Sequence, residues 1–471
     1  MVSLQDFTVF LWKLVGGGLI ALAVLLFVKF YLQRSGRGEK QHLQVRDGLN
    51  GSGLDRSDTP DGFIYGLKHG KKVYQTYQNE GHIAVFGGSG QGKTSALLIP
   101  SLRVWQGASF CIDISGDICK NVPCDKKIIL APDDPENSCT FNPLEAIDAE
   151  PDKDIKRILM EQLVNDMLPI SPKDSGTQQY FIKKARVLFL AGLMTFYDYG
   201  CDFCEICHEI FFRSVADLYA VVEISGNPIA ICYIQTIKGE NEKNIAGAKS
   251  TLDDAIRIFA DNKNMSQVLR RQDAKQAFRL SDLENSHIFL VVPDSKQEYY
   301  GIFQHLVIGQ VLGYISKRSY DREKDKRILL ALDEFASLKH LELLGPMRKF
   351  RKNGANICLL TQSLADIDLV YSIDERKVIL DNARYIVVLS AQDVDTRRYF
   401  SDLVGKQETQ RKSTTSGDHG GSSTTSYQEE YAIHPNKWRD LGDKLIVIHG
   451  GGYIMLKKNY YFKKRRGKNE Y

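Results

Sequence analysis

The chain has 471 residues, more than one compact core organises, so two or three units are expected. Its 43 % hydrophobic and 25 % charged residues are ordinary for a globular protein, and a net charge of +4 confines any basic footprint to a local patch. Nine cysteines scattered without framework spacing exclude a secreted disulfide scaffold and point to a reducing, cytosolic main body.

Leu14–Val28 carries no charge, and together with Phe7–Lys13 it is long enough to span a hydrocarbon layer of about 30 Å. Lys29, Phe30, Tyr31, Leu32, Gln33 and Arg34 follow it where a signal peptide would place small residues, so residues 1–33 read as an uncleaved anchor. Lys29, Arg34, Arg37 and Lys40 lie beyond the span, which puts the large C-terminal body on the cytoplasmic side of the membrane, as a single-pass protein. Val187–Phe196 is too short to cross and reads as a buried helix segment.

Residues 34–61, rich in Gly, Ser, Asp and Arg, read as a tether. From His82 the pattern turns α/β. Apolar runs at His82–Phe86, Ser109–Ile112, Lys127–Ala131, His287–Val292, Ile328–Leu332, Asn356–Leu360 and Tyr385–Leu389 predict a parallel sheet covered on both faces. Helical periodicity over Ile155–Met167, Gln178–Tyr197 and Asn244–Ala260 predicts a mainly helical unit, 151–280, inserted between a first (62–150) and a second (281–462) part of a nucleotide-binding domain. The polar stretch Lys412–Tyr427 reads as a mobile loop, Lys444–Ile448 and Tyr453–Leu456 as two terminal strands joined at Gly450–Gly452, and 463–471 as a basic tail. That tail could touch DNA or anionic lipid, or simply keep the chain soluble.

Gly87, Gly88, Ser89, Gly90, Gln91, Gly92, Lys93 and Thr94 fit G-x-x-x-x-G-K-[ST] at every position, between an apolar strand and a helical start. Glycines let the backbone N–H groups turn toward phosphate oxygens, Lys93 reaches the β- and γ-phosphates of ATP, and the Thr94 hydroxyl ligates Mg²⁺. The strand Arg327–Leu332 ends in Asp333 and Glu334, placing one acid to hold the metal with Thr94 and the other to polarise a water. Gln362, at the end of another apolar strand, reads as a γ-phosphate sensor or as a turn glutamine. Arg351, in a basic cluster eleven residues before Gln362, reads as a solvated helix face or as an arginine finger.

These residues resemble the type IV coupling proteins of conjugation, the TraG/TraD family, over roughly Asp61–Phe462. The resemblance is carried by the cradle running into Leu97-Leu98-Ile99-Pro100, by Phe141-Asn142-Pro143-Leu144, by Asp333-Glu334-Phe335, by Leu360-Thr361-Gln362-Ser363, by Asp381-Asn382-Ala383 and by the ending His434–Gly452. Ile112-Asp113-Ile114-Ser115-Gly116-Asp117 stands where the family usually has D-P-K-G-E, with Ser115 in place of the lysine. The family places its arginine finger in an R-K-x-G segment, which Arg351-Lys352-Asn353-Gly354 matches. The resemblance implies a RecA-like P-loop NTPase motor with an inserted all-α domain and an N-terminal transmembrane helix. It further implies an ATP- and Mg²⁺-dependent homohexamer at the bacterial plasma (inner) membrane, pumping DNA with an attached relaxase toward a type IV secretion channel. An FtsK-like DNA translocase and an ATP-dependent recruitment platform for protein effectors are the alternatives. Family members commonly carry two spans, where this chain is expected to have one, and a long C-terminal recruitment tail is not expected here.

Cys201, Cys204, Cys207 and His208 have zinc-like spacing, but four ligands within eight residues at a helix start make a poor tetrahedral cage, and they read as ordinary helix residues.

Overall fold

The computed structural model describes residues 48–271, 277–338, 340–417 and 420–463. The expected anchor (1–33), the first part of the expected tether and the tail beyond 463 lie outside the described residues. Among the described residues no helix is long and apolar enough to cross a membrane.

The strands, in chain order, are β1 (Asp55–Ser57), β2 (Phe63–Lys68), β3 (Lys71–Gln75), β4 (His82–Phe86), β5 (Ala108–Asp113), β6 (Lys127–Leu130), β7 (Thr140–Phe141), β8 (Ala277–Phe278), β9 (His287–Val291), β10 (Ile328–Leu332), β11 (Ala355–Thr361), β12 (Ala383–Val388), β13 (Lys406–Gly417), β14 (Gly420–Tyr431), β15 (Lys444–His449) and β16 (Gly452–Lys457). Twelve of them form one sheet in the order β1-β3-β2-β16-β15-β12-β4-β11-β10-β5-β9-β6. From β12 to β6 every neighbouring pair is parallel. From β12 outward through β15, β16, β2, β3 and β1 every pair is antiparallel. The expected parallel sheet is therefore the core of a mixed one.

The parallel strands are short apolar runs because both of their faces are buried. On one face Ile83, Val85, Cys111, Ala331, Cys358, Leu360 and Val387 pack under Leu97, Leu98, Ile99 and Leu102 of the helix that follows β4. On the other, Phe86 meets Phe400 edge to face at 5.0 Å and Phe400 packs tilted against Trp438 at 5.5 Å between ring centroids.

The second half of the expected tether joins this unit. Leu54 and Ser52 are buried, the Tyr385 hydroxyl donates to the Ser52 carbonyl at 2.9 Å, and β1 pairs with β3. Compositional bias toward Gly, Ser and Asp hid a short edge strand, since an edge needs only one buried face.

Between β7 and β8 the chain is helical, over Lys153–Met167, Gly176–Asp198, Phe203–Phe211, Val215–Ser225, Pro228–Gln235, Glu242–Asp261 and Lys263–Val268. Each of these helices starts at a polar cap, with Asp152, Ser175, Asp202, Ser214, Asn227, Asn241 and Asn262 accepting from the first-turn N–H groups. Leu188–Phe196 is buried within Gly176–Asp198. Asn142 of the N-P-L turn closes its own loop, its Oδ1 accepting from the Leu144 N–H at 3.0 Å. Asp148, just beyond, gathers Asn142, the Tyr197 hydroxyl at 3.0 Å and Arg271 at 2.6 Å. Burial pushes its carboxyl up, but those three hydrogen bonds outweigh burial and hold it below the ordinary value.

The stretch expected to be a mobile loop is instead most of a separate ribbon. β13 and β14 pair antiparallel from Lys406↔Tyr431 to Gly417↔Gly420, and Gly405–Ala432 falls outside the compact unit that holds the sheet. A ladder of backbone hydrogen bonds between Thr- and Ser-rich strands needs no apolar core to register, which a hydrophobicity argument misses.

Trp438 is fully buried, and its Nε1–H donates at 2.8 Å to the Ser401 hydroxyl, which donates in turn to the Ile433 carbonyl at 2.8 Å. Trp438→Ala should destabilise the sheet unit by about 3–5 kcal/mol, read as a lower urea midpoint, and Trp438→Phe by less.

Candidate functional site

The carboxyl ends of β4, β11 and β10 meet at one edge of the sheet. β4 ends at Phe86, and the chain turns through Gly87–Gly92 into a helix that opens at Lys93 and continues through Ile99–Leu102. Gly90 and Gly92 take φ of 71° and 97°, and a Cβ on Gly92 would meet Tyr460 Cε1 at 3.1 Å. That combination excludes other residues at Gly92. The turn is pinned from both sides: the Gly87 N–H donates to the Thr361 carbonyl at 3.1 Å, and the Gly88 N–H to the Ser390 hydroxyl at 3.2 Å.

Lys93 is 6 % exposed. Its ammonium donates to the Gly87 carbonyl at 2.7 Å and pairs with Glu334 at 2.9 Å. The Thr94 hydroxyl donates to Asp333 Oδ2 at 3.3 Å. Glu334 sits at φ 46°, ψ 44°, a left-handed conformation that a glutamate adopts only under constraint from its surroundings. Asp333 is 6 % exposed. Burial, and then the Glu334 charge beside it, push its carboxyl up to about 6 despite Lys93 and Thr94. A buried carboxylate and a hydroxyl oxygen held this close are the hard donors that a small divalent cation takes.

Gln362 is exposed directly after β11, between the cradle and the acids. Arg351 lies elsewhere. It precedes β11, and its charge helps lower His82, the first residue of β4, to about 4, after the larger effect of burial. It therefore stands at the amino edge of the sheet, the length of a strand, about 16 Å, from the cradle.

Two contributors carried no sequence signal. Ser390 follows β12 with no motif around it. The segment after β16 returns to the cradle, with Tyr460 against Gly92 and the Tyr461 N–H donating to the Ser95 carbonyl at 3.1 Å. Asp113, marked in the sequence only by its patch, is fully buried at the end of β5 and accepts from the Cys119 N–H at 2.7 Å and from the Ser115 hydroxyl at 3.4 Å, so Ser115 serves its own turn.

Cys204 and Cys207 are buried in Phe203–Phe211, and burial pushes both thiols up, while His208 is exposed on Phe212 at 4.7 Å. Among the described residues no three His, Cys, Asp or Glu side chains form a metal-holding group.

A glycine-rich turn of P-loop pattern and an acid pair, on strand ends separated by one strand of a mixed α/β sheet, give the layout of a RecA-like P-loop fold. The chain belongs to the type IV secretory system conjugative DNA-transfer family, which it matches over residues 36–471. It is similar to Protein VirD4 of Agrobacterium fabrum, 23 % identical over 436 residues that cover 88 % of this chain and 64 % of that protein. It is also similar to the type IV secretion system-coupling protein VirD4 of Bartonella henselae, 22 % identical over 415 residues, 82 % of this chain and 63 % of that one. The chain thus spans less than two thirds of the length of these relatives. Among solved structures, the plasmid coupling protein TrwB with a non-hydrolysable ATP analogue superposes with a TM-score of 0.70 at 19 % identity, covering 91 % of this chain and 97 % of that one. TrwB with ADP and Mg²⁺ superposes with a TM-score of 0.64 at 20 % identity, covering 82 % and 86 %. At such identities the likeness establishes a shared fold.

A carboxylate whose pKa folding raises lowers stability above that pKa and ceases to do so once it is protonated in both states. With metal chelated, Asp333→Asn should therefore be more stable than the parent at pH 7.5 by roughly 2 kcal/mol. The difference should shrink as pH falls through about 6 and vanish near the ordinary value of 3.8, in denaturation curves taken across that range.

Proposed function

We propose that this chain is an ATP-hydrolysing coupling protein that drives DNA, with its attached relaxase, to a conjugative type IV secretion channel. It works as a homohexamer held at the inner membrane by residues 1–33. The observation that supports this most is the split between the two sheet edges. Gly87–Thr94, Asp333, Glu334 and Gln362 gather at one edge, and Arg351 stands a strand's length away at the other. An arginine so placed cannot serve its own cradle, but it is available to the cradle of an adjacent copy in a ring. TrwB, with the same fold, has been solved with ATP and GTP analogues and with ADP and Mg²⁺.

In this reading the N–H groups of Gly87–Thr94 and the helix N-terminus hold the β- and γ-phosphates. Lys93 exchanges Glu334 for phosphate oxygens, which frees the Glu334 carboxylate to take a proton from the attacking water. Gln362 reports on the γ-phosphate. Asp333 and Thr94 would hold Mg²⁺, which supplies charge neutralisation between the β- and γ-phosphates. The helical insert, 151–280, is the substrate-handling domain, and the motor lies in 62–150 and 281–462.

Lys93→Ala should abolish DNA-stimulated ATP hydrolysis, and undiminished turnover would overturn the active-site assignment. Arg351→Ala should bind ATP normally and turn over at least a hundredfold more slowly. Mixing the two inactive variants should restore part of the activity, because some interfaces then join an intact cradle to an intact Arg351. No recovery in mixed rings would place the finger elsewhere.

A further inference from the structure

Lys458, in the segment after β16, is 4 % exposed, yet no carboxylate among the described residues lies within ion-pair distance of it. Asp443, whose backbone carbonyl accepts from the Lys458 N–H at 2.8 Å, pairs its carboxylate instead with Lys457 and Lys463, both at 3.5 Å. Among the described residues, the one side-chain partner of the Lys458 ammonium is Gln91 Oε1 at 3.5 Å, inside the phosphate cradle. Burial pushes its pKa down, against the pull of Asp443 and Asp440. A buried ammonium facing a loop of phosphate-binding N–H groups, without an anion of its own, is aimed at an anion that the loop receives.

Two residues further on, Tyr460 lies against Gly92 and pairs with the exposed ring of Phe462 at 5.3 Å. The sheet order sets the direction of a bound triphosphate. The acids on β10 stand on the β11 side of β4, whereas β12, β15 and β16 stand on the other. With its γ end toward Glu334, a nucleotide must carry its base away from β10, toward the side from which Lys458–Phe462 approaches.

We propose that Lys458–Phe462 is the nucleoside-side wall of the site: the Lys458 ammonium binds a phosphate of the triphosphate and the Tyr460 ring stacks on the base. This rests on the nucleotide-binding reading above and adds two residues to it. Stacking on a ring face is tolerant of base identity, so the wall favours a nucleoside triphosphate over bare triphosphate without selecting adenine.

The test is calorimetric titration of the full chain with Mg-ATP and with inorganic triphosphate and Mg²⁺. The parent should bind ATP about tenfold or more tightly than triphosphate. Tyr460→Leu, which still fills the space beside Gly92, should bring ATP down to the level of triphosphate and leave triphosphate binding unchanged, while Tyr460→Phe keeps the difference. Lys458→Gln should weaken both ligands about tenfold, with Lys458→Arg retaining most of the affinity. Parental ATP binding in Tyr460→Leu, or equal loss of both ligands in Tyr460→Leu and Tyr460→Phe, overturns the stacking role. Unchanged affinities in Lys458→Gln overturn the phosphate contact. A parent that binds neither ligand overturns the cradle reading itself, and this inference with it.

Discussion

The ammonium of Lys93 has two partners, the Gly87 carbonyl behind it and the Glu334 carboxylate across the neighbouring strand, and much of the architecture exists to bring those two within one side chain's reach. Gly87 and Glu334 are not on adjacent strands. β11 lies between them, and the register through it sets the depth of the site. Phe86 is level with Thr361, but Leu332 is level with Leu359, which is level with Ala84. β10 therefore ends two residues lower than β4, and Asp333 emerges beside Val85 rather than at the rim. That recess is why Asp333 is buried, why its carboxyl is pushed up, and why Thr94 at the helix start can lean down to it. Glu334 then has to climb back toward Lys93, and the left-handed turn at φ 46° is the means by which it does so. The strain is held by packing on both sides, including Phe335, which is 1 % exposed.

The same parallel register separates the chemistry of the two sheet edges. At the carboxyl edge acids and a lysine converge on the glycine-rich turn Gly87–Gly92. At the amino edge His82 is buried and stays neutral, its Nδ1 accepting the Ile357 N–H at 2.9 Å. Beside it, Arg327 is 1 % exposed and donates to the Arg351 carbonyl and to Asn356. Arg327 thus anchors the backbone of Arg351 and leaves the Arg351 guanidinium half-buried at the surface. A parallel sheet cannot bring its two edges together within one copy, and the shared site proposed for Arg351 rests on that geometric fact.

The central strands were legible because a strand buried on both faces writes a continuous apolar run, as in Ile328–Leu332, and a phosphate turn writes its glycines. The position of Gln362 followed from the run before it. Antiparallel edge strands wrote nothing so plain: in Asp55–Ser57 and Lys71–Gln75 polar residues dominate, since only one face or end is covered. The polar ribbon β13–β14 was read as a loop for the same reason. In the site itself, the recess of Asp333, the pinning hydroxyl of Ser390 and the burial of Lys458 all depend on which strand neighbours which. No local window of sequence contains that information.

The helical insert meets this machinery through His305, a buried residue of the helix Gln297–Lys317. Its Nδ1 lies 2.9 Å from the Asp166 carbonyl, at the end of the first insert helix. Its Nε2 lies 2.9 Å from the His340 carbonyl, in the loop that leaves Asp333 and Glu334. Both partners are backbone carbonyls, and the ring bridges the end of the insert helix and the acid loop. A shift of the acid loop must then either carry the end of the insert helix with it or weaken that bridge, in which a hydrogen bond contributes about 1 kcal/mol net. Changes at Glu334 on the scale of a side-chain exchange therefore have a short physical route into the insert, with this imidazole as one of its links.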